Sequence, residues 1–313
     1  NGGIPVINGS VLLAGISGFL FQGFQVNGNI TVQDSSNVSI IGTEADDTLQ
    51  VILAGVNSNI GINGAGGNDT ILISGGPGGS AGPNTGPPDD TGAQQPGIQV
   101  IGGKGDDHLT VDFGWGNPLP SGGLSFDGGD DYDVLSLLGG SFRQADFRAI
   151  NSNSGTISLD GIPVTYMNIE PIYYDGNNTL TIDSAPGDVN ETITVEYVGT
   201  AGSLSNAIKI AGIITGTEES SFETIYFTNV KNVIFNALGG DDIINVGISQ
   251  RTAGLESLTI QGGTVRDTIR NNGLDILLAD SADLQGGADL RLAAKAGRIR
   301  STSAAVPQPA RLS

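Results

Sequence analysis

Cysteine is missing from this 313-residue chain, and histidine, tryptophan and methionine occur once each. Without thiols, neither a disulfide nor a zinc–thiolate site can form. The single histidine, His108, leaves no second imidazole from which to build a His-rich metal site, and its turn context marks it as an exposed spacer. Bases are scarce too: 13 Lys and Arg face 33 Asp and Glu, a formal charge of −20. A surface of that sign repels phosphates, so no nucleic-acid partner is expected. Long apolar runs are also lacking. The stretch Val11 to Phe24 is broken by Gly15, Gly18 and Gly23 and has no basic segment before it. Neither a membrane span nor a signal peptide is expected there. The chain opens at Asn1 without an initiator Met, which suggests a processed product or an excised fragment.

What the chain has in excess is glycine, 50 residues, against an average share of about 7%. No G-X-Y period accompanies it, and the 38% hydrophobic content is enough to supply a core. Glycine together with β-branched residues disfavours helix, so the expected class is all-β. A short pattern then recurs: a Gly-rich turn, an aspartate, any residue, an aliphatic residue and a short strand. It reads GTEADDTLQV from Gly42, GAGGNDTILI from Gly64, GGKGDDHLTV from Gly102 and GGDDYDVLSL from Gly128. Two later versions are ALGGDDIINV from Ala237 and GGTVRDTIRN from Gly262. Asp47, Asp69, Asp107, Asp133, Asp242 and Asp267 each stand two residues before the aliphatic position.

Spacing suggests the architecture. Asp47 and Asp69 are 22 residues apart, Asp107 and Asp133 are 26, and Asp242 and Asp267 are 25. That length suits one coil of a right-handed parallel β-helix or β-roll, so an irregular solenoid over residues 1–290 is expected. Residues 75–97, rich in Gly, Pro and Ser, read as an inserted loop. FRQADFRAI, in a seam at 142–153, reads as a helical turn or two, and TITVEY from Thr192 as a strand with one buried face. Residues 291–313 carry bases but no acids and read as a terminal rung and tail.

Gly permits the tight turn, Asp supplies a hard oxygen, and the turn exposes backbone carbonyls. Calcium takes six to eight such oxygens at about 2.3–2.6 Å. Stacked aspartates without an ion repel one another, so calcium is expected at Asp46, Asp47, Asn68, Asp69, Asp106, Asp107, Asp131, Asp133, Asp241 and Asp242. The strongest pairs are Asp47 with Asp69 and Asp107 with Asp133. GGKGDDHLT (Gly102–Thr110) resembles the calcium-binding RTX nonapeptide, GGxGxDxUx with U a large aliphatic residue. The resemblance implies that Gly102, Gly103, Gly105 and Asp107 hold the ligand-loop positions. The other copies lose one or more glycines, and long spacers separate them where RTX arrays run back to back. DILLAD…ADLRLAAKAG (275–297) resembles rungs of secreted filamentous adhesins, and GIPVTYMNIEPI (161–172) resembles giant surface proteins of the planctomycete type.

These resemblances imply an extracellular or cell-surface structural or adhesive protein. A solenoid whose end coils lack polar caps presents stackable edges, so self-association into a filament or lattice, or continuation into further repeats, is expected. An extracellular polysaccharide is a second partner, through a calcium-dependent binding module that uses the inserted loop. Catalysis is not expected. Carboxylates are too abundant to mark a pair, and Lys104, Arg143 and Arg148 are too scattered to bind a uronate polymer. Trp115 is expected to pack a turn, and Tyr132, Tyr173 and Tyr174 to cover strand faces.

Overall fold

The computed structural model describes residues 4–76, 97–176, 178–248 and 254–263, with the backbones of Thr268–Asn271, Ser281–Gln285 and Arg291–Ala294. Most of the proposed 75–97 insertion, the tail from 301 and Asp267 lie outside the described residues.

Every regular element among the described residues is a strand. The cause is visible in the alternation. Thr70–Gly75 buries Ile71 and Ile73 and turns Thr70, Leu72 and Ser74 outward, the period of two that a strand with one buried face requires. Successive strands alternate between two large sheets. The first, of 13 strands, receives 29–33, 48–54, 70–75, 108–112 and 134–140; the second, of 12, receives 36–41, 58–66, 98–104 and 124–130. Within each sheet these neighbours pair in parallel and in register, so Thr48 lies beside Thr70, and Thr70 beside His108.

Two antiparallel meanders interrupt the parallel order. Gln144–Asn151, Ser154–Leu159 and Ile162–Met167 fold back on one another within the second sheet. Glu191–Ala201, Leu204–Ile214 and Ser220–Thr228 do so within the first. The first meander overturns the expected helical turn in FRQADFRAI. Ala145 and Phe147 are both buried at strand spacing, so period two wins over the local helix propensity of the segment. TITVEY is a strand as expected, inside Glu191–Ala201.

Register stacks like on like in the core. Val51, Ile73, Val111, Leu137, Tyr174 and Phe227 follow one another across the first sheet, all buried. Each such side chain contributes about 1.5–3 kcal/mol through its removal from water. Aromatic contacts close the wider levels: Phe147 meets Tyr174 edge-on at 5.4 Å, and Phe113 meets Phe142 at 4.9 Å. No helix among the described residues is long and apolar enough to cross a membrane.

Candidate functional site

The recurring Gly/Asp turns fall at the same edge of the first sheet, just before its strands begin. Because the strands are in register, the turns stack, and two columns of side chains result. The inner column is Asp47, Asp69, Asp107 and Asp133, all buried. Each carboxylate accepts the backbone N–H of the preceding member: Asp47 N to Asp69 Oδ1 at 2.7 Å, Asp69 N to Asp107 Oδ1 at 2.7 Å, and Asp107 N to Asp133 Oδ1 at 2.8 Å. The 38-residue spacer between Asp69 and Asp107 does not break the column. The two expected pairs are therefore one row.

The outer column runs the other way. Asn68 N donates to Asp46 Oδ1 at 2.8 Å, Asp106 N to Asn68 Oδ1 at 3.1 Å, and Tyr132 N to Asp106 Oδ1 at 3.1 Å. These side chains are exposed. Asp131 belongs to neither column. It occupies a left-handed turn position, φ 81°, and accepts from Gly105 N at 3.2 Å.

Glycine's role here is mainly one of space. A Cβ on Gly64, Gly102 or Gly128 would lie 2.1, 2.4 or 2.5 Å from Oδ2 of the aspartate five residues later. The carboxylate occupies the volume that a side chain would need. Ala237, five residues before Asp242, is the departure from this rule among the described copies. In the first copy, Thr43 takes over the second oxygen: its N–H and hydroxyl donate to Asp47 Oδ2 at 2.6 and 2.8 Å. The matching positions, Ala65, Gly103 and Gly129, bring no hydroxyl. Oδ2 of Asp69, Asp107 and Asp133 is buried with no hydrogen-bond partner.

The row continues through residues that a search for aspartate overlooks. Glu170 lies close enough to both Asp133 and Glu223 to repel their carboxylates. Glu170 N donates to Asp133 O at 2.6 Å. Where the second meander begins, Glu191 N donates to Asp242 Oδ1 at 2.8 Å, and Asp241 N to Asn190 Oδ1 at 2.7 Å. Asn190–Glu191 and Asp241–Asp242 thus repeat both columns with the same polarity. The missed signal was an acid two residues before an aliphatic one: Glu170 with Ile172, Glu191 with Ile193, Glu223 with Ile225.

Burial sets the charge state. It pushes the Asp69 carboxyl up to about 7, against the pull of the Asp47 N–H and with added repulsion from Asp107 and Asp47. It pushes Asp133 up to about 7 and Glu223 to about 8, with Glu170 adding repulsion in both cases. Asp107 and Glu191 are raised for the same first reason. The Ser221 and Ser184 hydroxyls approach Glu191 and hold its pKa down somewhat, without closing a well-directed hydrogen bond to either carboxylate oxygen. At Asp69 and Asp133, whose carboxyls burial raises to about 7, the protonated form needs no counter-ion.

The expected metal residues therefore separate by environment. Asp47, Asp69, Asp107, Asp133 and Asp242 have their side chains buried, all five with a carboxylate oxygen engaged by a backbone N–H, whereas Asp46, Asn68, Asp106, Asp131 and Asp241 face solvent. No group of three or more acids or histidines with metal-binding geometry occurs among the described residues. His108 is not the exposed spacer expected. It is half-buried, its Nε2 lies 2.8 Å from Ser136 Oγ, and burial lowers its pKa. Trp115 is likewise not packed away: 64% of it is exposed.

Asp107→Ala should cost about 2–4 kcal/mol, because it strands the buried Asp69 N–H and leaves a void. Asp107→Asn keeps the acceptor and should cost under about 1 kcal/mol. Urea unfolding of both variants checks this; equal losses would show that the hydrogen bond is immaterial.

No protein-family model, no curated protein and no solved structure matches the chain.

Proposed function

We propose that this chain is a non-catalytic structural scaffold: a right-handed parallel β-helix of irregular coils, extracellular or at the cell surface, lengthened by stacking coil upon coil. The observation that carries this reading is the acid row, which threads level after level of the first sheet through side-chain-to-backbone hydrogen bonds. The row fixes register between coils, which is what a load-bearing solenoid needs. A cavity of about 580 Å³ lies beside the meanders, with Glu170, Glu219 and Ser221 in its wall and no Lys, Arg or His. That lining gives a uronate substrate no cation to bind.

Calcium enters this reading at the outer column. Asp46, Asn68 and Asp106, with Asp131 beside them and Asp241 in the separate later copy, have exposed side-chain oxygens and carbonyl-bearing turns that a hydrated cation accepts. The inner carboxylates are too enclosed for six ligands. Calcium would neutralise the outer row and couple to folding through differential binding to the native state.

Calcium should raise the melting temperature measured by circular dichroism at pH 8, saturably, and a chelator should reverse it. Asp46→Ala with Asp106→Ala should abolish the rise while the fold persists. No shift with chelator would remove calcium from the account. Electron microscopy is expected to show end-to-end filaments or sheets at high concentration, and a strict monomer at every concentration would count against the assembly role.

A further inference from the structure

The outer face of the first sheet carries a feature unrelated to the acid rows. Outward-facing side chains from neighbouring strands align there in two files. Asn29, Gln50 and Leu72 form one, and Ile52, Ser74 and Asp112 the other. They floor a groove of about 300 Å³ whose wall is Trp115. That volume is at the low end of the range for small-molecule sites, about 300–1,000 Å³.

The wall is held firmly, although its indole is open. Gly114 N donates to Asp112 Oδ1 at 2.8 Å and Gly116 N to Phe113 O at 3.0 Å, closing the turn on itself. Phe113, two residues before Trp115, is buried edge-on against Phe142. The turn also rests on Gly75, where a Cβ would meet the carbonyl oxygens of Trp115 and Gly116 at 3.0 and 3.2 Å. A fixed turn that presents a 64% exposed tryptophan leaves a large apolar surface in water with no packing benefit. Beside it stand an amide pair, a hydroxyl and a carboxylate.

We infer that this groove binds a neutral glycan, one pyranose face stacked on Trp115 and its hydroxyls hydrogen-bonded by Gln50, Asn29, Ser74 and Asp112. A sugar ring has an apolar face and a rim of hydroxyls, and the groove presents both complements side by side. Charge decides among glycans. The lining has one carboxylate and no Lys, Arg or His, and the chain carries a charge of −20, so uronate and sulfated polymers are repelled. A purely apolar ligand is disfavoured as well, because it would desolvate Gln50, Asn29 and Asp112 without pairing them.

Trp115 is the only tryptophan in the chain, so intrinsic emission reports on this groove alone. The full chain is titrated with short neutral oligosaccharides of glucose, mannose and N-acetylglucosamine, and with oligogalacturonate. A saturable blue shift with at least one neutral oligosaccharide and none with the uronate is expected. Affinity electrophoresis in gels containing that glycan should then show Trp115→Ala weakened about tenfold or more and Gln50→Ala weakened measurably. Their circular dichroism melts should match the parent, because neither side chain packs into the core. Silence across the neutral panel overturns the inference, as does equal binding of the uronate. Free-state emission that is already blue and inaccessible to acrylamide overturns it too, since the indole would then be covered by the chain itself or by another copy.

Discussion

Gly129→Ala is expected to lower the unfolding free energy by about 3–5 kcal/mol, the sum of a strained backbone and a clash that cannot relax. Gly129 has φ 113°, outside even the left-handed well that alanine tolerates. A Cβ there would sit 2.1 Å from the carbonyl oxygen of Gly103, a backbone atom on the adjacent level. Two comparisons separate the causes. Gly161 has φ 91° and nothing within 4 Å, so Gly161→Ala should show strain alone, about 1–2 kcal/mol. Gly61 has no positive φ, and its nearest contact is 3.8 Å away, so Gly61→Ala should stay within about 0.5 kcal/mol. Urea unfolding of the three variants gives the order directly. If Gly129→Ala is no worse than Gly161→Ala, the close stacking of turns is not what glycine serves there.

The second large effect is a stability that falls as pH rises. Asp69 and Asp133 stand at about 7 in the folded chain and Glu223 at about 8. All lie above the ordinary values of about 3.9 and 4.3 that hold in the unfolded chain. Between those limits the folded state binds more protons than the unfolded state, so the slope of unfolding free energy against pH is negative. The stabilisation is fully present below about pH 4 and is lost as pH rises through 7 to 8. Asp107 and Glu191, shifted the same way, deepen the fall. In chelator, the melting temperature should therefore be highest in mildly acidic buffer and lowest near pH 8. Relief of general repulsion among 33 acids works in the same direction, so the variant Asp69→Asn with Glu223→Gln is the needed control. It should flatten the upper part of the curve. An unchanged slope would assign the whole effect to surface charge.

Much of the fold was open to sequence reading because period two is a local signal. Thr192–Tyr197 and the aspartates before Leu49, Ile71, Leu109 and Ile244 could be placed from neighbours alone. FRQADFRAI could not. Its helix-compatible residues were decided by the burial of Ala145 and Phe147 against the opposite sheet, a tertiary fact. The acid row was half legible. Fixing on aspartate hid Glu170, Glu191 and Glu223, although they obey the same spacing. Counting residues along the chain also split Asp69 from Asp107, because sequence distance does not reveal that they precede neighbouring strands of one sheet. The division into a buried and an exposed column had no sequence signature at all. It depends on which way each side chain points at the turn, which the register settles.

Carbon-13 detection of Asp and Glu carboxyls through a pH titration tests the buried acid row most directly. The account predicts at least three carboxyls with midpoints near 7 to 8, lost one at a time in Asp69→Asn, Asp133→Asn and Glu223→Gln. If every carboxyl in the folded chain titrates below about pH 5, as exposed acids do, the row is ionised and the account is contradicted.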